Sequence, residues 1–366
     1  VTEADPTCVV SGADLTSHQH PLGGDRGGEL SAYTTLRVGG EATEIVVADT
    51  EERLRESVRE SDRAGQPVLL VGGGSNMLVG DDGFDGRVVL IRTRGLTFQT
   101  SDCAGAMATV AAGEVWDDLV AASLAQQWVG LAPLSGIPGL VGATPIQNVG
   151  AYGAEVAETI TRVRCWDRQT DGQRTFTADE CGFSYRDSRF KQELDRYLIL
   201  EVQFQFRIGE MSAPIKYAEL ARRLGVEVGE RADAARVREE VLALRAGKGM
   251  VLDQADHDTW SAGSFFTNPI LTAEAAAKLP AGAPRFPQPD GTVKSSAAWL
   301  IQHAGFAPGF GTGPATLSTK HTLALTNRGE AAAADVVALA RTVRAGVEDA
   351  FGVRLVPEPN LVNCEL

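Results

Sequence analysis

The order of apolar and polar positions predicts an α/β-patterned chain whose structure begins near Tyr33. Glu44–Ala48 reads as a strand. Glu51–Ala64 reads as a helix capped by Thr50, with acidic residues in its first turn where the helix dipole favours them. Gln66-Pro67 breaks the helix, and Val68–Val71 is a short apolar strand, so the chain opens as β-α-β. Val88–Ile91 and Ala108–Ala111 continue a strand-rich region. Glu114–Gln127 carries Val115, Leu119, Val120 and Leu124 on one helical face. Ile160–Trp166 alternates as a strand, with a turn at Thr170–Gly172. Tyr197–Phe206 is a longer strand in which Leu198, Leu200, Val202, Phe204 and Phe206 share a face. Arg231–Lys248 reads as a helix with Asp233 near its start and Val237, Val241, Leu242 and Leu244 inside. Ser296–His303 predicts a short helix and Leu323–Leu325 a strand. Glu330–Phe351 predicts a long helix burying Val336, Val337, Leu339, Val343 and Val347. Val353–Pro359 places Glu358 at a strand end, stiffened between Pro357 and Pro359.

Gly130–Gly153 fits neither period. It holds six glycines, three prolines and no charged side chain. Disordered segments are normally polar and charged, so this composition suits either of two things. One is a shaped backbone cradle for a large flat ligand, with Gln147 and Asn148 supplying amide groups; the other is a buried crossover. Gly72-Gly73-Gly74-Ser75-Asn76 follows a strand, so its N–H groups could hold phosphate oxygens. Met77 stands where a dinucleotide fingerprint needs its third glycine, and no Gly-Lys-Ser/Thr follows, so a plain tight turn stays open. Phe183–Lys191 interleaves aromatic and basic residues, as a solvated hairpin end or as an arginine clamp for an anion. Ser264 lies in Gly263–Pro269 with neither a GxSxG elbow nor a neighbouring histidine, which excludes a triad nucleophile. A carboxylate held as Glu358 is suits general-acid chemistry, although a surface strand end has the same pattern.

Composition narrows the field. A chain of 366 residues accommodates two or three domains, and no apolar run approaches the roughly 18 residues of a membrane span. Residues 1–30 are polar and lack the apolar centre of a signal peptide, which predicts a flexible extension. Five scattered cysteines without CxxC, and five histidines without ligand spacing, predict no metal site and a reducing cytoplasmic setting. A net charge of −14 argues against nucleic acid. An anionic substrate would require a local cationic site built against that field.

The strings Thr35–Val38, Gly72–Asn76, Ile137–Gly139 with Pro145–Gly153, Tyr185–Ser188, Gly263–Pro269 and Pro357-Glu358 fall in one fixed order. In this the chain resembles the UDP-N-acetylenolpyruvoylglucosamine reductase (UDP-N-acetylmuramate dehydrogenase) family, flavoenzymes of peptidoglycan precursor synthesis. The resemblance runs from about Tyr33 to the C-terminus.

It implies an α+β fold. A two-lobed FAD-binding domain of the vanillyl-alcohol-oxidase (PCMH-like) type would span 31–248, with lobes 31–95 and 96–248. A smaller α+β substrate-binding domain would span 249–352, and a C-terminal strand at 353–366 would return to the active site. FAD and NADPH are the implied cofactors. Gly72, Gly73, Gly74, Ser75 and Asn76 would hold the FAD pyrophosphate. Ser135, Gly136, Ile137, Gly139, Gln147, Asn148, Gly150, Ala151 and Gly153 would wrap the flavin. Ser75-Asn76 stand where covalently tethered flavoproteins of this broad fold often carry histidine, so FAD is expected to be non-covalent.

The implied reaction passes hydride from NADPH through FAD to UDP-N-acetylglucosamine enolpyruvate. Arg186 and a protonated Glu358 would stabilise the enol-like charge, and Ser264 would donate the proton. Tyr185, Tyr217, Lys248, Asn268 and His303 would contact substrate. Lys216–Leu220 around Tyr217 suggests the variant with an extra closing loop, and His303 stands where some relatives have glutamine. The expected partner is a nucleotide sugar, with no nucleic acid or membrane, and the expected state is a cytoplasmic monomer. A flavin oxidase using O₂ and a non-catalytic binding module are the rival readings. The Gly-Ser-Phe-Phe string and the Arg186, Ser264 and Glu358 set count against the oxidase, and the presence of both Ser264 and Glu358 counts against the binding module.

Overall fold

The computed structural model describes residues 9–12, 15, 28–101 and 103–366. Most of the extension expected at 1–30 lies outside the described residues. Within it, Val9–Gly12 is a strand paired antiparallel to Thr97–Thr100, so that stretch has structure of its own. Two compact units divide the chain. The first holds Glu44–Gly73 and Gly86–Ala246, and the second holds Gly74–Asp85, Gly247–Leu366 and the described part of Leu22–Thr43.

In the first unit the Glu51–Ala64 helix forms as the sequence predicts. The Thr50 side chain accepts from the Arg53 N–H, and Gly65 closes the helix in the left-handed conformation at φ 65. The helix lays Leu54 and Val58 against Ala48, Val89, Trp166, Leu198 and Leu200. Val68–Val71 runs parallel to Arg87–Leu90 in a three-stranded sheet. The larger, seven-stranded sheet is antiparallel. Leu96–Ser101, Gly105–Ala111, Tyr197–Ile208, Ile160–Asp167 and Gly172–Thr177 succeed one another across it.

The single apolar face expected along Tyr197–Phe206 is split in two. Leu198 and Leu200 join the core under the Glu51–Ala64 helix, whereas Val202, Phe204 and Phe206 join Trp116 and Leu119 of the Trp116–Ala125 helix. A register shift between Arg164 and Cys165 causes this. The unpaired Leu200 opposite it is an extra residue, and a bulge of one residue exchanges the two faces. The helix expected over Arg231–Lys248 covers Ala234–Gly247, because the Asp233 carboxylate accepts from the Arg236 N–H and sets its start. Val237, Val241 and Leu244 are buried, but Leu242 is only half-buried.

The second unit is assembled from pieces far apart in sequence. Met77–Val79 pairs in parallel with Asn360–Val362. The Thr35 hydroxyl donates to the Ser261 carbonyl at 2.6 Å, and the Asn327 amide donates to the Leu36 carbonyl at 3.1 Å. These bonds draw 74–85 and the residues before Thr43 to the C-terminal unit, so the compact units cut across the 31–95 lobe expected from sequence.

The long helix starts at Ala333 rather than Glu330, and buries the five residues predicted. The C-terminal strands shift too. One covers Leu325–Asn327 rather than Leu323–Leu325, since Ala324 closes a turn by donating to the His321 carbonyl. The last covers Asn360–Val362, so Glu358 precedes it. Pro357 and Pro359 have no N–H to give a ladder, and regular pairing starts only beyond them.

Asp81 caps the long helix from a distance. Its two carboxylate oxygens accept from the Ala333 and Ala334 N–H groups at 2.6 and 2.9 Å. Asp81→Ala is expected to cost about 1–2 kcal/mol, through a lost cap at the positive end of the dipole. A urea midpoint lowered at unchanged slope would register it; an unchanged midpoint would refute it. Among the described residues no helix is long and apolar enough to cross a membrane.

Candidate active site

In the first unit the Gly130–Gly153 stretch is a buried crossover on one side and an open turn on the other. Leu131–Ser135, Leu140 and Val141 are buried, while Gly136–Gly139 are partly exposed. The buried side is pinned to the Trp116–Ala125 helix and its approach. Trp116 Nε1 donates to the Leu134 carbonyl, the Trp116 N–H to Gly139, and the Val141 N–H to Glu114. Packing is close enough that a Cβ on Gly142 would lie 2.5 Å from Ala112 Cβ, and one on Gly73 would lie 2.6 Å from Gly139 Cα. Gly73 and Gly139 therefore meet backbone to backbone, and only glycine at 73 permits that approach.

Two residues assigned to the cradle spend their side chains inside it. The Ser135 hydroxyl donates to the Ala132 carbonyl at 2.7 Å. The Asn148 amide donates to Glu155 Oε2 and the Ser184 carbonyl, and its oxygen accepts from the Ala157 N–H. Asn148 is 1% exposed with φ 43, so it shapes the loop; any contact it makes with a ligand must come through its backbone. Ile137, Gln147, Gly150 and Ala151 remain partly exposed, and Gly153 is exposed.

Arg186 joins this loop. Its guanidinium donates to the Gly150 carbonyl at 2.6 Å and to the Asn148 carbonyl at 3.5 Å, and it lies 5.3 Å from the Tyr185 ring. A Ser184–Asp187 bridge makes the turn, with Arg186 held at φ 55. The Ser188 hydroxyl anchors it to the Ile146 carbonyl. Of the two sequence readings, the solvated hairpin end fails: Arg186 is half-buried and bound to the loop. Tyr217 is 40% exposed and packs edge-on against Tyr152 at 5.4 Å.

In the second unit Ser264 and Glu358 come together across more than ninety residues of sequence. The Glu358 N–H donates to the Phe265 carbonyl at 2.9 Å, Phe266 bridges Pro357, and the Thr267 N–H donates to Val356. Glu358 thus lies alongside Phe265, next to Ser264, which sits after a turn at Gly263 with φ 72. Phe265 and Phe266 are buried beneath, while Ser264 and Glu358 are half-buried. The glycine loop reaches the same place: the Asn76 amide donates to the Glu358 carbonyl at 3.4 Å, and the Asn360 N–H donates to Asn76. Gly74 packs so tightly that a Cβ would lie 1.8 Å from the Tyr33 carbonyl oxygen.

The remaining residues expected to bind substrate are scattered within this unit. Asn268 Oδ1 accepts from the Ala297 N–H and so caps the Ala297–His303 helix. His303 is exposed, stacks on Trp299 at 3.7 Å, and its Nδ1 contacts the Trp299 carbonyl. Lys248 raises the local potential around His321. Desolvation first, and Lys248 second, lower that imidazole to about 4, so it is neutral at pH 7. Sequence reading missed the row Ile270, Lys294 and Phe286, aligned across three short strands with Ile270 and Phe286 exposed. Its strands are two residues long, too short to show a period.

Asp258 braces the segment after Lys248. Burial pushes its carboxyl up. Hydrogen bonds from Thr319 and Ser318, and the charge of Arg328, outweigh this and hold it below the usual carboxylate range. A depressed folded value means that this stability is present above the ordinary carboxylate pKa and is lost as pH falls through the folded one. The stability gap between the wild type and Asp258→Asn is therefore expected to be widest near neutrality and to close below about pH 4. Denaturant midpoints across that range would test it, and a gap independent of pH would contradict it. Among the described residues no group of His, Cys, Asp and Glu could hold a metal ion.

Comparison with known proteins gives both units a relative. A model of the FAD binding domain matches residues 42–175, and a model of the UDP-N-acetylenolpyruvoylglucosamine reductase C-terminal domain matches 254–362. The UDP-N-acetylenolpyruvoylglucosamine reductase of Cutibacterium acnes is 58% identical over 99% of this chain and 97% of its own. That of Streptomyces avermitilis is 54% identical over 92% and 94%. The crystal structure of the enzyme from Thermus caldophilus superposes with a TM-score of 0.62 at 25% identity, covering 91% of this chain and 97% of that one. The fold is accordingly α+β, with a FAD-binding domain of the kind these proteins share.

Proposed function

The chain belongs to the UDP-N-acetylenolpyruvoylglucosamine reductase family, and from that premise we propose that it is the NADPH-dependent oxidoreductase converting UDP-N-acetylglucosamine enolpyruvate to UDP-N-acetylmuramate. The observation that carries the reading beyond family membership is the pairing of Phe265 with Glu358. It brings the Glu358 backbone alongside Phe265, one residue from Ser264, over the buried Phe265 and Phe266 side chains.

FAD supplies the hydride chemistry: when bound it accepts hydride from NADPH and passes it to the terminal carbon of the enolpyruvyl group. The residues present suit that cofactor. Among the described residues the N–H groups of Gly73 and Gly74 enter no hydrogen bond, and such groups in a glycine turn are what a pyrophosphate needs. The open Gly136–Gly139 and Gly150–Gly153 turns offer backbone to a flat ring. Ser75 and Asn76 offer no imidazole for covalent attachment, so FAD is held non-covalently.

Hydride addition turns the terminal CH₂ into CH₃ and leaves negative charge on the neighbouring carbon and its carboxylate. Arg186 stabilises that charge with a planar cation, and Glu358 does so as a neutral hydrogen-bond donor. Ser264 delivers a proton to the carbon, completing the lactyl ether. A hydroxyl is a weak acid, but a carbanionic acceptor in a dry, preorganised site makes the transfer feasible. Tyr185, Tyr217, Lys248, Asn268 and His303 hold the nucleotide sugar. Lys248 supplies the local positive charge that a chain of net charge −14 needs to bind a diphosphate. In this reading the chain acts as a cytoplasmic monomer in cell-wall precursor synthesis.

The test is an assay of the purified yellow protein. NADPH oxidation that requires the enolpyruvyl nucleotide sugar, with product two hydrogens heavier, is the expected result. Oxidation driven by O₂ alone would make it an oxidase, and flavin binding without turnover would make it a binding module.

A further inference from the structure

Asp117 occupies a junction that the reaction does not explain. Its Oδ1 accepts from the Gly136 N–H at 2.6 Å and from Arg238 Nη1 at 2.7 Å, and its Oδ2 accepts from Arg238 Nη2 at 2.8 Å. Gly136 is held at φ 69 and begins the open turn that ends where Gly139 meets Gly73. Arg238 and Arg245 lie seven residues apart, hence on one face of the Ala234–Gly247 helix. Arg245 is half-buried with its charge desolvated, and Tyr152 and Asp117 offset part of that cost. Burial alone would raise the Asp117 carboxyl, yet Arg238, the Gly136 N–H and Arg245 together hold it below the usual range. Asp117 also lies in the first turn of the Trp116–Ala125 helix, where the dipole favours an anion.

A neutral carbonyl would suffice to satisfy one backbone N–H. A charge-assisted bond shared with a bidentate arginine is stronger and more directional. It acts at an open turn of the loop, where Gly136 itself takes a positive φ. We propose that Asp117 is a positioning residue for the cofactor: its carboxylate fixes the Gly136–Gly139 turn against which the flavin lies, with Arg238 holding that carboxylate in place. This rests on the FAD reading above.

The test is titration of the apoprotein with FAD, followed by quenching of flavin fluorescence, with visible circular dichroism of the bound flavin and the apoprotein melting temperature recorded alongside. Asp117→Asn is expected to weaken FAD binding roughly tenfold or more and to change the flavin dichroism, which a purely structural role would leave alone. Arg238→Gln keeps the acceptor on Gly136 and is expected to weaken binding less. Asp117→Glu keeps the charge but displaces it. It is expected to weaken binding while the apoprotein melts normally, and it decides the matter should the asparagine variant not fold. Binding within twofold of wild type in whichever Asp117 variant folds, or an Arg238→Gln loss as large as that of Asp117→Asn, would overturn the inference. The second outcome would mean that the carboxylate merely fastens the helix. A wild-type apoprotein that takes up no FAD would overturn the cofactor reading itself, and this inference with it.

Discussion

Replacing Ser264 by alanine is expected to leave reduction by NADPH at its wild-type rate and to slow reoxidation by the enolpyruvyl nucleotide sugar by about 10²-fold or more, the scale of a lost general acid. The asymmetry follows from the chemistry. In the proposed relay only the second half-reaction creates a carbanion that must be protonated, and the first uses no atom of Ser264. The backbone argues that the variant keeps its shape. The neighbouring Phe265 is fixed by its own N–H to Leu323 and by the Glu358 N–H to its carbonyl, neither of which uses the serine side chain. Rapid-mixing measurement of each half-reaction separates the cases. An equal fall in both would mean that Ser264 serves binding or structure and gives no proton.

Arg186→Ala should produce the second large loss, about 10²–10³-fold in kcat for the substrate half-reaction, the cost of removing a donor aimed at developing charge. This variant should also disturb the loop. The guanidinium donates to the Gly150 and Asn148 carbonyls, so weaker FAD retention is expected alongside the kinetic loss. Arg186→Lys separates the two roles. An ammonium restores the charge but lacks the planar fork, so it should recover part of kcat and little of the loop's order. Were Arg186→Ala to raise KM while leaving kcat intact, the arginine would be a binding residue and its assigned role would fall.

How far the sequence carries depends on the range of the interaction. Glu51–Ala64 is legible to the residue because Thr50 at its start and the Gln66-Pro67 break just past its end are local signals. Gly130–Gly153 announces itself by fitting no period. Its back is buried against the Trp116–Ala125 helix, as a crossover would be, while its turns stay open. What escapes is non-local. The pairing of Pro357-Glu358 with Phe265–Phe266 joins segments whose separate patterns say nothing of each other, and only the resemblance to a known family linked Ser264 with Glu358. The bulge at Leu200 leaves the alternation of Tyr197–Phe206 intact on paper while exchanging its faces in space. Asp117 reads as an ordinary acidic residue in a first helical turn, and its ties to Gly136 and Arg238 appear only once the chain is folded.

In the proposed relay, reducing equivalents enter from NADPH and leave to an enolpyruvyl carbon. An anaerobic single-turnover experiment follows both transfers. NADPH is added to the purified protein without substrate and the flavin absorbance is followed; UDP-N-acetylglucosamine enolpyruvate is then added with O₂ excluded. The relay predicts that NADPH bleaches the flavin and that the nucleotide sugar restores its colour, with one UDP-N-acetylmuramate formed per flavin. A flavin that stays bleached in the presence of the nucleotide sugar, and regains its colour only when O₂ is admitted, would contradict it.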